Sequence, residues 1–247
     1  QLRFTFDERT AFEEGKDFLY IYDGAGNEIG KYTGTELAGQ TIGVFGESFV
    51  LQYETDSKNN DWGFKVVEVE EVIKEDTKLT EDRSIKTGLA IVSTGVTLDM
   101  NGHTLTVKGN INVTKGVLTV GEGTLNVGGN LYIGAEDLGI NSEGKRLIGS
   151  GSISMTEDST LNVGGDLKIC TSCVNTWGGV LNLVGNFTQI GSVLPENTEG
   201  TTESEGDGTS EGEESIYARA NSFAPAEEMV MTFCGEERQD IWFDSAE

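Results

Sequence analysis

The chain has 247 residues and a formal net charge of −25, from 42 acidic and 17 basic residues. Such a charge repels nucleic acid and anionic lipid and attracts divalent cations, so we expect no nucleic-acid partner. No apolar run reaches the roughly 18 residues of a membrane-spanning helix, so no membrane span is expected. The chain starts at Gln1 without a charged-then-apolar leader. This start is interpreted as that of a processed chain or an excised fragment.

Residues 1–72 alternate aromatic and β-branched residues with polar ones, in short runs separated by turn signals such as Asp23-Gly24 and Gly26-Asn27. This pattern is typical of an antiparallel β-sandwich. The four runs are Leu2–Phe6, Phe18–Tyr22, Phe49–Tyr53 and Gly63–Val67.

Three blocks of this region, Phe6–Thr10, Asp17–Asp23 and Tyr53–Phe64, resemble a CUB-like module. The resemblance covers roughly residues 1–70 and implies an extracellular jelly-roll β-sandwich. Many members of that family bind calcium at one end of the sandwich, through acidic side chains from separate loops. The ligands that the resemblance implies here are Glu13 (or Glu8), Asp17 and Asp56, with Asn59 or Asn60 adding oxygen atoms.

The chain departs from the CUB pattern in two ways. Residues 1–169 contain no cysteine, although disulfides are frequent in the family. The chain also begins at what would be an interior strand, so the sandwich is predicted to be truncated. An edge left unpaired along Leu2–Phe6 would invite strand addition from another chain, and hence self-assembly into filaments. The alternative is that residues upstream supply the missing strand in a longer protein.

Residues 86–247 are predicted to form a β-solenoid of about 20 residues per coil, following a charged junction at 73–85. One seven-residue phrase, which is Thr104–Asn110 in its first copy, occurs four times. Its central leucines are spaced by 20, 36 and 20 residues, and they are Leu105, Leu125, Leu161 and Leu181. The longer interval is interpreted as one repeat plus an insertion. Stacked coils would align these leucines in apolar columns. The repeats resemble the solenoid segments of large exported surface proteins.

Each coil is expected to hold two strands, with a positive-φ glycine in the Gly-Asn or Gly-Asp turn that follows. Asn126, Asn162 and Asn182 recur at one position, which predicts an asparagine row. The stretch 195–215 is strongly acidic and is interpreted as an excursion from the solenoid. Two strands after it are expected to form a last coil or a cap.

Cys170 and Cys173 form the sequence Cys-Thr-Ser-Cys. Half of a zinc site, completed by Cys234 and His103, is one reading, and a redox pair is another. Buried thiols are a third. A small structural disulfide between Cys170 and Cys173 is the interpretation that we favour.

No nucleophile–base pair is evident, and the single histidine, His103, lies in a turn. We therefore expect a non-enzymatic extracellular structural or adhesive protein, with a solenoid scaffold and a calcium-dependent contact module. Self-association, another surface protein or a glycan are the expected partners. The alternatives are a carbohydrate-active β-helix enzyme and a sugar-binding module. The latter would use stacking surfaces from Tyr20, Tyr22, Tyr32 or Trp62.

Overall fold

The structure is a computed structural model, and it describes residues 1–56, 58–59, 61–135, 147–191 and 222–243. It is all-β. The chain divides into two compact units, Gln1–Val72 and Ile73–Glu247. Among the described residues, no helix is long and apolar enough to cross a membrane. The acidic stretch 195–215 lies outside the described residues.

The first unit consists of two antiparallel sheets. In one sheet β1 lies between β4 and β6, and in the other β2 lies between β3 and β5. The strands are β1 (Leu2–Phe6), β2 (Phe18–Asp23), β3 (Glu28–Tyr32), β4 (Thr41–Val44), β5 (Phe49–Glu54) and β6 (Val66–Ile73).

Alternation along the strands builds the core of the first unit. Phe4 and Phe6 on β1, and Leu19 and Ile21 on β2, are buried at every second position, because successive side chains of a strand point to opposite faces. The two sheets share this core, since the Phe4 ring stacks on the ring of Phe49 from the other sheet at 4.0 Å between centroids.

The expected unpaired edge at Leu2–Phe6 is wrong. β1 pairs with β4 on one side and with β6 on the other, and Phe4 lies opposite both Ile42 and Val69. Partners of β1 come from distant parts of the same chain, so this strand offers no free edge for another molecule.

The second unit consists of three parallel sheets. Sheet I has the order β9-β12-β15-β18-β20-β22, sheet II β7-β10-β13-β16 and sheet III β8-β11-β14-β17-β19-β21. The strands are β7 (Thr77–Lys78), β8 (Arg83–Ile85), β9 (Gly88–Ile91), β10 (Thr97–Asp99), β11 (Thr104–Val107), β12 (Ile111–Val113), β13 (Val117–Gly121), β14 (Thr124–Val127), β15 (Leu131–Gly134), β16 (Ser152–Met155), β17 (Thr160–Val163), β18 (Leu167–Cys170), β19 (Val180–Leu183), β20 (Phe187–Gln189), β21 (Val230–Phe233) and β22 (Ile241–Phe243).

The predicted leucine column is confirmed. Leu105, Leu125, Leu161 and Leu181 pair one above the next along sheet III, and all four are fully buried. The pairing of Leu125 with Leu161 shows that the 36-residue interval is one repeat plus an insertion. Full burial of each leucine stabilises the stack by about 1.5–3 kcal/mol.

Two expectations about the second unit are wrong, and a third is confirmed. Repeats hold three strands rather than two, because a short strand such as Ile111–Val113 follows each Gly-Asn or Gly-Asp turn. The segment 73–85, predicted to be a junction, carries β7 and β8, which pair with β10 and β11. Its apolar residues Leu79 and Ile85 are buried in the second unit. The two expected last strands are confirmed as β21 and β22, which pair with β19 and β20.

The turns after β11, β14, β17, β19 and β21 are held by a ladder of side-chain hydrogen bonds, here called the turn ladder. In each step an Asn or Asp side-chain oxygen accepts the backbone N–H of the equivalent residue in the next repeat, at 2.7–2.9 Å. The members are Asn110, Asn130, Asp166, Asn186 and Asp240.

Four of the five ladder residues follow a glycine, and the positive φ that the sequence predicted for these glycines is not observed. Gly129, Gly165 and Gly185 are absent from the positive-φ residues. A Cβ at Gly165 would instead overlap the Asn130 side-chain oxygen, and one at Gly129 would overlap the Asn110 oxygen. Glycine is required because the ladder passes against its Cα.

The predicted asparagine row is also confirmed. Asn182 Nδ2 donates to Asn162 Oδ1, and Asn162 Nδ2 donates to Asn126 Oδ1, both at 2.8 Å. The row ends at Thr106, whose hydroxyl accepts from Asn126 Nδ2 at 3.3 Å. These amides bond to one another across the strands of sheet III.

Candidate metal site in the first unit

Strand pairing brings distant acidic residues together at one end of the first unit. Antiparallel β2 and β5 pair Phe18 with Glu54. The residue before β2, Asp17, therefore lies beside the segment after β5, which contains Asp56. Glu13 is added by one tight turn, in which the amides of Lys16 and Asp17 both donate to the Glu13 carbonyl.

Glu13, Asp17 and Asp56 each offer a carboxylate oxygen, and these oxygens lie within 4.8 Å of one another. Asp17 is fully buried. Its two oxygens accept hydrogen bonds from the Tyr53 hydroxyl at 3.0 Å and from the Asp56 amide at 3.2 Å. Asp56 is exposed, and its Oδ1 accepts from the Lys58 amide at 2.7 Å.

Hydrogen bonding keeps Asp17 ionised despite its burial. Burial alone would raise the pKa of Asp17, but hydrogen bonds from Tyr53, Asp56 and Thr55 outweigh it, and the pKa of Asp17 lies below its ordinary value. Burial and the hydrogen bond to Asp17 together raise the pKa of Tyr53. The cluster therefore holds a fixed negative charge at neutral pH.

One oxygen of the cluster has no partner among the described residues. Glu13 Oε1 accepts from Asn59 Nδ2 at 3.2 Å, whereas Glu13 Oε2 is buried and receives no hydrogen bond from residues 1–56, 58–59 or the other described ranges. A buried carboxylate oxygen without a partner is costly, which is a reason to expect a ligand beside it. Among the described residues, no lysine or arginine forms an ion pair with the three carboxylates.

The donor set fits a hard cation. Calcium takes six to eight oxygen ligands and accepts irregular geometry, and three carboxylates with water would supply them. Zinc prefers nitrogen and sulfur ligands, and the cluster contains neither.

The other sequence-predicted ligands have different outcomes. Asn59 reaches the cluster through Glu13, with its backbone at φ 45°, a left-handed conformation that asparagine tolerates. Asn60 lies outside the described residues. Glu8, the alternative to Glu13, is not in the cluster and lines a separate groove with Asp7 and Arg9.

Cys170 and Cys173 do not form the predicted disulfide, and Cys234 is also a thiol. Cys170 is buried against Ile148 at the end of β18. The Cys173 thiol donates to the Ser150 carbonyl at 3.2 Å. The turn between the two cysteines is fixed by the buried hydroxyl of Thr171, which donates to the Gly151 carbonyl and accepts the Cys173 amide. Because of this turn the two thiols lie in different surroundings, and they are not bonded to each other.

The aromatic side chains named as stacking surfaces are distributed over different environments. Tyr20 and Tyr22 stack with nearly parallel rings on the outer face of β2. Tyr32 packs against the core instead. Trp62 is half-exposed and lies under the guanidinium of Arg9 at 4.7 Å.

The sequence reasoning missed Tyr53 as a member of the cluster. Its ring packs against Phe12 and Phe64, and only its hydroxyl reaches the carboxylate of Asp17. Tyrosine in an alternating strand looks like a core residue, so no sequence signal marks the hydroxyl.

Comparison of the chain with protein families, with curated proteins and with solved structures gave no match.

Proposed function

We propose that this chain is a non-enzymatic structural or adhesive component of an extracellular surface. In this proposal the second unit is a β-solenoid that acts as a rigid spacer. The first unit is a CUB-like module that makes calcium-dependent contacts. The acidic cluster of Glu13, Asp17 and Asp56 carries the proposal, because it combines three close carboxylates with a buried oxygen that no described residue hydrogen-bonds.

The spacer role is supported by repetition of the same contacts. The leucine column, the asparagine row and the turn ladder run through successive repeats, so each repeat restrains the next. A scaffold of this kind resists bending without any bound ligand.

A catalytic role is disfavoured by the outward positions of sheet III. Carbohydrate-active enzymes of this shape need acids aligned across several repeats, with a pair of carboxylates at the scissile bond. The aligned outward positions of β11, β14 and β17 hold threonine and asparagine. We therefore expect no product release from pectin or alginate. Release that disappears when one acid of the second unit is replaced would contradict this part of the proposal.

The calcium site is tested by isothermal titration of the full chain with CaCl₂, and by thermal unfolding with and without calcium. A cation that binds only the folded state raises the melting temperature by mass action. The Asp56→Asn variant removes one carboxylate from an exposed position and should weaken calcium binding by tenfold or more. Asp61→Asn is the matched control, since Asp61 is exposed in the same loop and outside the cluster.

The two variants make the calcium test decisive. Titration heat that is absent for the unaltered chain, or binding weakened equally by Asp56→Asn and Asp61→Asn, would exclude the cluster as the site.

Self-association is proposed through the last described strands. Ile241 and Phe243 continue the inward-facing columns of sheet I, yet they are 52% and 45% exposed because no further described strand covers them. Neighbouring Trp242 is 63% exposed. A second copy that pairs along β22 would cover these side chains.

Sedimentation velocity over a range of concentrations tests this contact. Ile241→Lys should shift the chain towards monomer, and Val174→Lys, at an exposed valine on another part of the unit, should not. A chain that is monomeric at all concentrations would refute self-association.

A further inference from the structure

A groove runs along sheet III beside the asparagine row, here called the amide groove. Its volume is about 490 Å³. One wall is the row Thr106, Asn126, Asn162 and Asn182, and the floor contains Gly128 and Gly164. Lys108 and Val184 occupy the positions equivalent to these glycines at the two ends, since each bonds into the same backbone ladder. The four stacked strands give the groove a length of about 14 Å.

The amides of the row keep hydrogen-bonding capacity for a ligand. A carboxamide has two N–H donors and two acceptor lone pairs. Asn162 uses one donor towards Asn126 and one lone pair towards Asn182. Within the part of the chain that the structure describes, no other group bonds to the side chain of Asn162. Asn126 is bonded in the same way, through Thr106 and Asn162, so these two amides each keep one N–H and one lone pair.

The groove differs in charge from the rest of the molecule. The chain carries 42 acidic residues, yet none is among the described residues that line the groove, and Lys108 is its one charged side chain. Glycine and valine supply apolar contact surface beside the amides. Anionic polymers are repelled by the net charge of −25. A cationic ligand finds no acid among the described lining residues and meets Lys108, so the groove suits an uncharged ligand.

We propose that the amide groove binds a neutral, extended polysaccharide. Each sugar ring presents hydroxyl groups that donate and accept, which matches the donor and the acceptor that Asn126 and Asn162 each keep. The C–H faces of the rings would lie on Gly128 and Gly164, where no side chain intervenes. This site goes beyond the proposed scaffold role, and it is independent of calcium because no cluster carboxylate lines it.

The test is calorimetric titration of the full chain with three neutral hexasaccharides, of β-1,4-linked glucose, xylose and mannose. An oligogalacturonate of the same length is the charged comparison. We expect saturable binding of at least one neutral hexasaccharide in EDTA, and no binding of the oligogalacturonate. Asp56→Asn should leave binding unchanged, so failure of the calcium site and failure of the groove are distinguishable.

Variants locate the ligand. Val184→Trp places a large ring in the groove at a half-exposed position and should weaken binding at least tenfold. Val180→Trp is the matched control, because Val180 is an exposed valine of β19 outside the lining, and it should change binding less than twofold. Asn162→Ala removes one amide of the wall and should weaken binding about fivefold, the worth of one net hydrogen bond.

The native chain gives a second readout. Cys234 is exposed and lines one end of the groove, whereas Cys173 lies outside it. Saturating hexasaccharide should slow alkylation of Cys234 and leave that of Cys173 unchanged, as measured by peptide mass.

Three results would overturn the proposal. They are no binding of any neutral hexasaccharide, equal weakening by Val184→Trp and Val180→Trp, or protection of Cys234 by an uncharged extended peptide in place of a glycan.

Discussion

Replacement of Gly165 by alanine should destabilise the second unit far more than replacement of a glycine in an open turn. The new Cβ would overlap Asn130 Oδ1 and would lie 2.9 Å from the Gly129 carbonyl carbon. Asn130 would have to move, and the Asp166 amide would lose its acceptor at 2.8 Å. Overpacking costs about 1–3 kcal/mol and an unsatisfied amide about 1–3 kcal/mol, so the expected loss is about 2–6 kcal/mol.

Gly95 is the control, because its φ is +77° and nothing lies within 4 Å of its Cβ position. Gly95→Ala should lower the free energy of unfolding by about 1–2 kcal/mol, through the left-handed backbone alone. Gly95→Asn should lower it less, since asparagine adopts that conformation more readily. Gly165→Asn should be no more stable than Gly165→Ala.

Urea unfolding followed by fluorescence gives the free energies, because Trp177 is buried in the second unit whereas Trp62 and Trp242 are exposed. The reasoning is refuted if Gly165→Ala unfolds at the urea concentration of the unaltered chain. A Gly165→Asn variant that is more stable than Gly165→Ala would also refute it, because the backbone conformation of the turn would then be the cause of the lost stability.

Leu161→Ala should lower the free energy of unfolding by about 2–5 kcal/mol, because it opens a cavity in the leucine column. Thr160→Ala, on the outer face of β17, should change that free energy by about 0.5 kcal/mol or less. Urea midpoints compare the two variants. Asn162→Asp should destabilise at neutral pH, because the new carboxylate faces the Asn126 carbonyl oxygen. The pKa of this new carboxylate would be raised in the folded chain, so the loss of stability should shrink on acidification. An equal loss of stability at acidic and neutral pH would contradict this reasoning. The pKa of Asp17 is lowered in the folded chain, so its contribution is present above its ordinary value of 3.8 and is lost as the pH falls through the lower folded value. Thermal unfolding across the acid range should show this slope, and Asp17→Asn should flatten it.

The sequence predicts what a single repeat contains. Alternation within the phrase identifies the inward leucines, and recurrence of the phrase aligns them. The register of Leu125 on Leu161 follows from the phrase, although 36 residues separate the two leucines. The asparagine row follows for the same reason, since identical residues at one position stack on each other. The acids of the metal cluster could be selected only because their blocks resemble a family with loops in known places.

Contacts between distant segments were not predictable. The need for glycine at position 165 comes from the side chain of Asn130, 35 residues earlier, and nothing within one turn shows it. Likewise, β1 finds its neighbours in β4 and β6, far along the chain. The strand Ile111–Val113 was missed because three residues are too few to display a period.

The turn ladder has a consequence for where the protein can change its length. The corner between sheets III and I has three residues in four successive repeats, at 108–110, 128–130, 164–166 and 184–186, where the ladder residue ends the turn. It has seven residues at 234–240, after the last strand of sheet III, and there the Asp240 amide still bonds to the Asn186 side chain. The corner between sheets I and II varies instead, from residues 114–116 to residues 135–151. Foreign peptides grafted at that second corner should be displayed without loss of the scaffold. The same peptides grafted at 128–130 should destabilise it, because the ladder residue Asn130 has ladder partners in the repeats on both sides.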